Sequence, residues 1–119
     1  MASHNDLGSN GEQLAKQFLE KSGYEILDEN WVFKKSEIDL IVYKDSKIIF
    51  IEVKTRKNNN FAEPEDFVNL NKQKQMALAA DEYIHLMNHQ YGIRFDVISI
   101  LFDNVGKPVI KHIEDAFWP

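Results

Sequence analysis

Residues 38–53 constrain the fold more than any other stretch. Ile38-Asp39-Leu40-Ile41-Val42-Tyr43 and Ile48-Ile49-Phe50-Ile51-Glu52-Val53 are β-branched or aromatic runs separated by Lys44-Asp45-Ser46-Lys47, the layout of a hairpin. The second run is apolar on both alternations, with Ile48 and Phe50 on one side and Ile49, Ile51 and Val53 on the other. Such a strand has to be central and covered on both faces. The rest of the chain must therefore supply a layer for each face of a sheet.

Ser9 followed three residues later by Glu12 reads as a capping box, which predicts a first helix from Ser9 to about Gly23. Leu14, Ala15, Phe18 and Leu19 would be its buried stripe. Tyr24 to Phe33 reads as an irregular first strand, and Asn58-Asn59-Asn60 as a loop. Pro64-Glu65-Asp66 opens a helical stretch, recapped at Asn71. Met76, Ala79, Ala80, Tyr83 and Met87 carry its period to about Gln90. Gly92 ends it. Phe95–Phe102 is a buried strand, and Val105-Gly106-Lys107-Pro108 turns into a short strand, Val109–Ile113. The predicted order is αβββαββ: a single α/β domain over 1–119, core about 9–117, with a mixed sheet flanked by helices.

Composition excludes several classes. With 44% hydrophobic and 28% charged residues the chain suits a globule, and with no cysteine it has no disulfide, thiolate metal site or thiol nucleophile. The N-terminal residues lack a basic patch followed by an apolar core, and no apolar run reaches about 18 residues. A cytoplasmic protein without a membrane partner is the expectation. The net charge of -5 argues against nucleic acid until its distribution is considered. Residues 31–60 hold seven Lys/Arg against four Asp/Glu, so one basic segment with Lys34, Lys35, Lys54, Arg56 and Lys57 lies in an otherwise acidic chain.

If the hairpin closes through Asp45-Ser46, Lys44 pairs with Lys47. The same register then sets Tyr43 opposite Ile48, Ile41 opposite Phe50, Asp39 opposite Glu52 and Glu37 opposite Lys54, with all eight side chains on one face. Like charges opposed across two strands repel, so Asp39 facing Glu52 needs a reason. Two carboxylates at that separation can share Mg²⁺ or Mn²⁺, with Lys54 beside them to steady a phosphate. The alternative is a surface ion pair in which Lys54 bridges Glu37 and Glu52.

Asp39, then Glu52-x-Lys54, behind a helix carrying Glu12, resembles the restriction-endonuclease-like superfamily. More narrowly the chain resembles the YraN-like family (uncharacterised protein family 0102), similar to archaeal Holliday-junction resolvases. The likeness rests on Gly11-Glu12, Gly23-Tyr24-Glu25-Ile26-Leu27, Asn30-Trp31, Glu37-Ile38-Asp39-Leu40-Ile41, Phe50-Ile51-Glu52-Val53-Lys54-Thr55-Arg56, Arg94-Phe95-Asp96-Val97, His112-Ile113 and Ala116-Phe117. It implies a restriction-endonuclease-like fold. It also implies Asp39 and Glu52 as metal ligands, Lys54 as catalytic lysine, and Glu12 as an additional acidic residue, in competition with its capping role. Lys72 falls where the family has a lysine, and Gln75 lies one turn later. With Lys34, Lys35, Arg56 and Lys57 these would contact DNA phosphate.

Two departures stand out: Ile38 replaces the superfamily's proline, and Ser36 stands where the family commonly has glycine. The resulting expectation is a metal-dependent endonuclease acting on DNA, branched or structured DNA included. The competing one is an inactive nuclease-fold nucleic-acid-binding or adaptor module. A symmetric homodimer would suit a resolvase-like enzyme. His85 and His89 have zinc-compatible spacing on a solvated face. Trp31 and Trp118 suit packing better than base stacking, and Asp96 suits a structural carboxylate satisfied by a helix end.

Overall fold

The structure, a computed structural model, describes residues 5–57 and 68–118. Its elements are α1 (Asn5–Lys21), β1 (Glu25–Phe33), β2 (Ser36–Lys44), β3 (Lys47–Lys57), α2 (Leu70–Leu86), β4 (Ile93–Phe102) and β5 (Pro108–Ile113). The order αβββαββ is the one the sequence predicts. The five strands form one mixed sheet in the order β1-β2-β3-β4-β5. β3 and β4 are parallel and the other neighbours antiparallel. The parallel pair requires a crossover, and α2 supplies it.

The central hairpin follows its sequence. Asp45 and Ser46 both take positive φ, 53° and 66°, the two-residue turn whose twist matches that of paired strands. Lys44 pairs with Lys47, and the register runs through Tyr43↔Ile48 and Ile41↔Phe50 to Leu40↔Ile51. Alternation then sends β3 to two cores. Ile49 and Ile51 join Leu40, Val42, Ile98 and Ile100 against Ala15 and Leu19 of α1. Ile48 and Phe50 join Ile41 and Phe95 against Met76, Ala79, Ala80 and Tyr83 of α2.

Helix boundaries correct the sequence reading in three places. α1 starts at Asn5, so Ser9 lies inside the helix and cannot form a capping box with Glu12. Its C-terminus does use glycine: Gly23 adopts φ 91°, while Gly23 N–H donates to Glu20 O and Tyr24 N–H to Leu19 O, the Schellman arrangement. α2 is capped by Asn69, not Asn71; Asn69 Oδ1 accepts the Lys72 N–H at 2.8 Å. It ends at Leu86, a turn before Gln90, with Met87 and Asn88 N–H groups returning to Tyr83 and His85 carbonyls. The proposed start at Pro64-Glu65-Asp66 and the Asn58-Asn59-Asn60 loop lie outside the described residues.

Candidate metal centre

The site arises where the sheet forks. β2 stays paired with β1 through Trp31↔Ile38, Val32↔Glu37 and Phe33↔Ser36, but its pairing with β3 stops at Leu40↔Ile51. β3 instead continues beside β4 to Lys57↔Phe102. The two halves of the sheet therefore part just beyond Leu40 and Ile51. Asp39 and Glu52 are the first residues past that point.

At the fork, Asp39 Oδ2 accepts the Val53 N–H at 2.8 Å, so a side chain replaces the lost backbone partner. The alternation of β2 also breaks here. Ile38 packs fully buried in the α2-side core together with Ile41, an odd spacing that strict period two forbids. Hence the expected Glu37–Lys54 opposition does not form. Glu37 is exposed and acts on Glu12. The eight side chains predicted to share one face share it only as far as the fork.

The electrostatics are those of crowded acids. Burial, then Glu52, raise the Asp39 carboxyl to about 7, with Glu12 adding to the rise and Val53 N–H and Lys72 opposing it. Glu52 is 4% exposed. Its Oε2 lies 3.3 Å from Lys54 Nζ and 3.4 Å from Lys72 Nζ. Its Oε1 is buried without a hydrogen-bond partner among the described residues. Burial also raises the Glu12 carboxyl, against a hydrogen bond with the Asn30 side chain, and Glu37, Glu29 and Glu52 raise it further.

Glu12 reaches this region because α1 lies close on β3. A Cβ at Gly11 would sit 2.2 Å from Thr55 Oγ1, so only glycine allows that approach. Lys72 arrives from the first turn of α2, positioned by the Asn69 cap.

The remaining predicted contacts surround the fork unevenly. Lys34 (φ 57°) and Lys35 form the exposed β1–β2 turn, with Lys34 Nζ 5.4 Å from the Phe33 ring centroid. Gln75 shares a groove with both lysines. Arg56 donates from a guanidinium nitrogen to Thr55 O at 2.9 Å, and Lys57 is exposed at the end of β3. His85 is exposed in the last turn of α2, while His89 lies beyond the helix against Gly92 O, so no helical i, i+4 pair exists. Trp31 packs edge-on against Tyr83, and Trp118 edge-on against Phe95.

Asp96 corrects its expectation. It is fully buried but no helix end satisfies it. Arg94 Nε and Nη2 donate to its two oxygens at 2.8 Å each. His112 Nε2 lies at 2.7 Å and Asp115 N–H donates at 2.9 Å. Burial alone would raise its carboxyl; His112, Arg94 and the Asp115 N–H outweigh it and hold the carboxyl below the ordinary value. Sequence reasoning noted Arg94-Phe95-Asp96 and His112 as separate motifs. The signal that they meet was the register of β5 on β4.

Does this donor set fit a divalent cation? Among the described residues no three Asp, Glu or His side chains converge closely enough to hold one together. Mg²⁺ typically needs only one or two carboxylates, and a buried carboxylate oxygen without a partner normally has an explanation such as an ion. Glu52 Oε1 beside a carboxyl that resists ionisation meets that requirement. Asp39 and Glu52 are the residues that fit, with Glu12 in their field.

Fold and site together define an α/β protein whose mixed sheet opens at one corner around two acids and two lysines. The chain belongs to the uncharacterised protein family UPF0102, the YraN-like group, whose profile matches residues 11–100. A UPF0102 protein of Flavobacterium psychrophilum is 43% identical over 118 residues, spanning 99% of this chain and 98% of its own. One of Bacteroides thetaiotaomicron is 42% identical over 119 residues, spanning 100% and 98%. The solved structure of Pyrococcus furiosus SfsA in complex with Ca²⁺ is similar over 91% of this chain and 62% of its own, at 12% identity and a TM-score of 0.38. Among the described residues no helix is long and apolar enough to cross a membrane.

Proposed function

We propose that this protein is a metal-dependent endonuclease that hydrolyses phosphodiester bonds in DNA, branched or structured DNA included. The observation that carries this reading is the fork itself: Asp39 and Glu52 brought together, with Glu52 Oε1 buried and unpartnered. Mg²⁺ or Mn²⁺ held by these two carboxylates would supply charge neutralisation at the phosphate and a more acidic water. Lys54, part-buried and fixed beside Glu52, places an ammonium where charge builds during phosphoryl transfer. Lys72 would do the same from α2, and Lys34, Lys35, Arg56 and Lys57 would meet the flanking backbone.

The test is a cleavage assay on linear, nicked, single-stranded and four-way DNA with Mg²⁺ or Mn²⁺. Cleavage that disappears in Glu52→Ala, while its circular dichroism stays native, is the expected result. No cleavage of any form with either metal would refute the enzyme.

One observation favours a second reading, a nuclease fold serving as a nucleic-acid-binding or adaptor module. Lys54 and Lys72 already compensate Glu52 Oε2, so the cluster can persist without a cation. A melting temperature indifferent to Mg²⁺ would select that reading, because a ligand that binds only the native state must raise it.

A further inference from the structure

Among the described residues only two buried side-chain polar atoms lack a hydrogen-bond partner, one on β2 and one on β3. One is Glu52 Oε1; the other is Ser36 Oγ. Ser36 is 6% exposed and lies three residues before Asp39 on β2. A buried hydroxyl without a partner among the described residues is uncommon in a folded protein.

Ser36 forms part of the wall of a groove of about 270 Å³ between the β1–β2 turn and α2, with Phe33, Lys34, Lys35, Gln75 and Leu78 as its other lining residues. Leu78 is 63% exposed there, an apolar side chain left in water beside an aromatic ring. Phe33 is held by stacking on Trp31 at 6.3 Å, which fixes the ring as a platform. The volume is below the roughly 300–1,000 Å³ of sites for drug-sized ligands and suits a single ring system. The rim is cationic, from Lys34 and Lys35. Gln75 lies one helical turn from Lys72, whose ammonium touches Glu52, so the groove adjoins the carboxylates along both β2 and α2.

Resting on the nuclease reading, we propose that this groove holds one unpaired nucleobase of the bound DNA. The base packs against Phe33 and Leu78, its polar edge meets Gln75, and Lys34 and Lys35 take the adjoining phosphates. An apolar slot with a cationic rim matches a base joined to phosphates better than an uncharged ligand, because stacking and backbone attraction act on the same nucleotide. DNA with an extruded or unpaired nucleotide is then the preferred substrate class.

The experiment compares duplexes carrying one unpaired 2-aminopurine, or an abasic residue at the same place, at low salt without divalent cation so that no cleavage intervenes. Wild type is expected to bind the base-containing duplex about tenfold more tightly than the abasic one, with altered 2-aminopurine fluorescence. Leu78→Glu and Gln75→Ala should bring that ratio towards one while melting as cooperatively as wild type. Equal affinity for both duplexes, alongside metal-dependent cleavage, overturns the base site and leaves the nuclease standing. Absence of all nucleic-acid binding, with Ca²⁺ present as well as without divalent cation, overturns both. A wild-type dimer that Leu78→Glu dissociates, with the base preference intact, would make the groove an interface between two copies and overturn the proposal as well.

Discussion

Asp39 both closes a backbone gap and carries an awkward charge. Its Oδ2 takes the Val53 N–H, while burial and the neighbouring Glu52 raise its carboxyl from 3.8 to about 7. The native state therefore holds a proton that the unfolded chain gives up near pH 4. Stability from this residue is fully present below that pH and is lost as pH rises through about 7. Asparagine keeps an acceptor for Val53 and removes the charge. Asp39→Asn should raise metal-free stability at pH 8 by on the order of 2 kcal/mol and flatten the decline of melting temperature between pH 5 and 8. Calorimetric scans of both proteins across that range check it; an equal decline in the two would place the titrating group elsewhere. The sequence expects Asp39 opposite Glu52; the pairing stops one residue short of them, and what remains of the expectation is that Glu52 acts on the Asp39 carboxyl. The hydrogen bond of Asp39 to Val53 was not legible, because a register count assumes that pairing continues, and here the strands part.

Elements differ in how openly the sequence declares them. The hairpin and the doubly apolar β3 follow from alternation alone, since no other arrangement buries both of its faces. The helix starts were missed for a physical reason: Ser, Thr, Asp and Asn are all competent caps, so local chemistry left a choice that packing decides. Gly11 shows a tertiary demand invisible to periodicity, the approach of α1 to β3 at Thr55. Gly11→Ala should cost about 1–3 kcal/mol by overpacking, read from urea denaturation. Thr55→Ala should recover most of it, because the closest clash, 2.2 Å to Oγ1, goes with the hydroxyl.

A second tie holds β4, β5 and the chain after β5. Removing the buried Asp96 leaves Arg94 and His112 facing one another without their shared anion. Asp96→Ala should therefore destabilise by about 3–5 kcal/mol, measured in the same denaturation series. A loss below about 1 kcal/mol would show that Glu114, 3.4 Å from Arg94, suffices as a partner. The Asp96 change does not touch the fork, so it reports on the frame rather than the chemistry.

At the scale of the molecule, the balance of -5 obscures an arrangement the sheet makes plain. Glu12, Asp39 and Glu52 come from three elements into one field, while Lys54 and Lys72 stand beside Glu52 from β3 and α2. A chain-order charge count found the basic segment but could not place Lys72 within reach of Glu52, because that contact depends on the crossover between β3 and β4. Phosphate approaching this corner meets acids and lysines together, so metal and salt should act on binding in opposite directions. A cation that neutralises the acids should strengthen DNA binding, and added monovalent salt should weaken it. The same coupling governs stability. Mg²⁺ at about ten times its dissociation constant should add roughly 1.4 kcal/mol, a rise of several degrees in melting temperature for a domain of this size. Asp39→Asn should start from a higher metal-free melting temperature and gain little from Mg²⁺. A scan of both proteins with Mg²⁺ and with EDTA separates the two effects. If the variant gains as much as wild type, the cation binds away from Asp39 and the fork is a structural acid cluster.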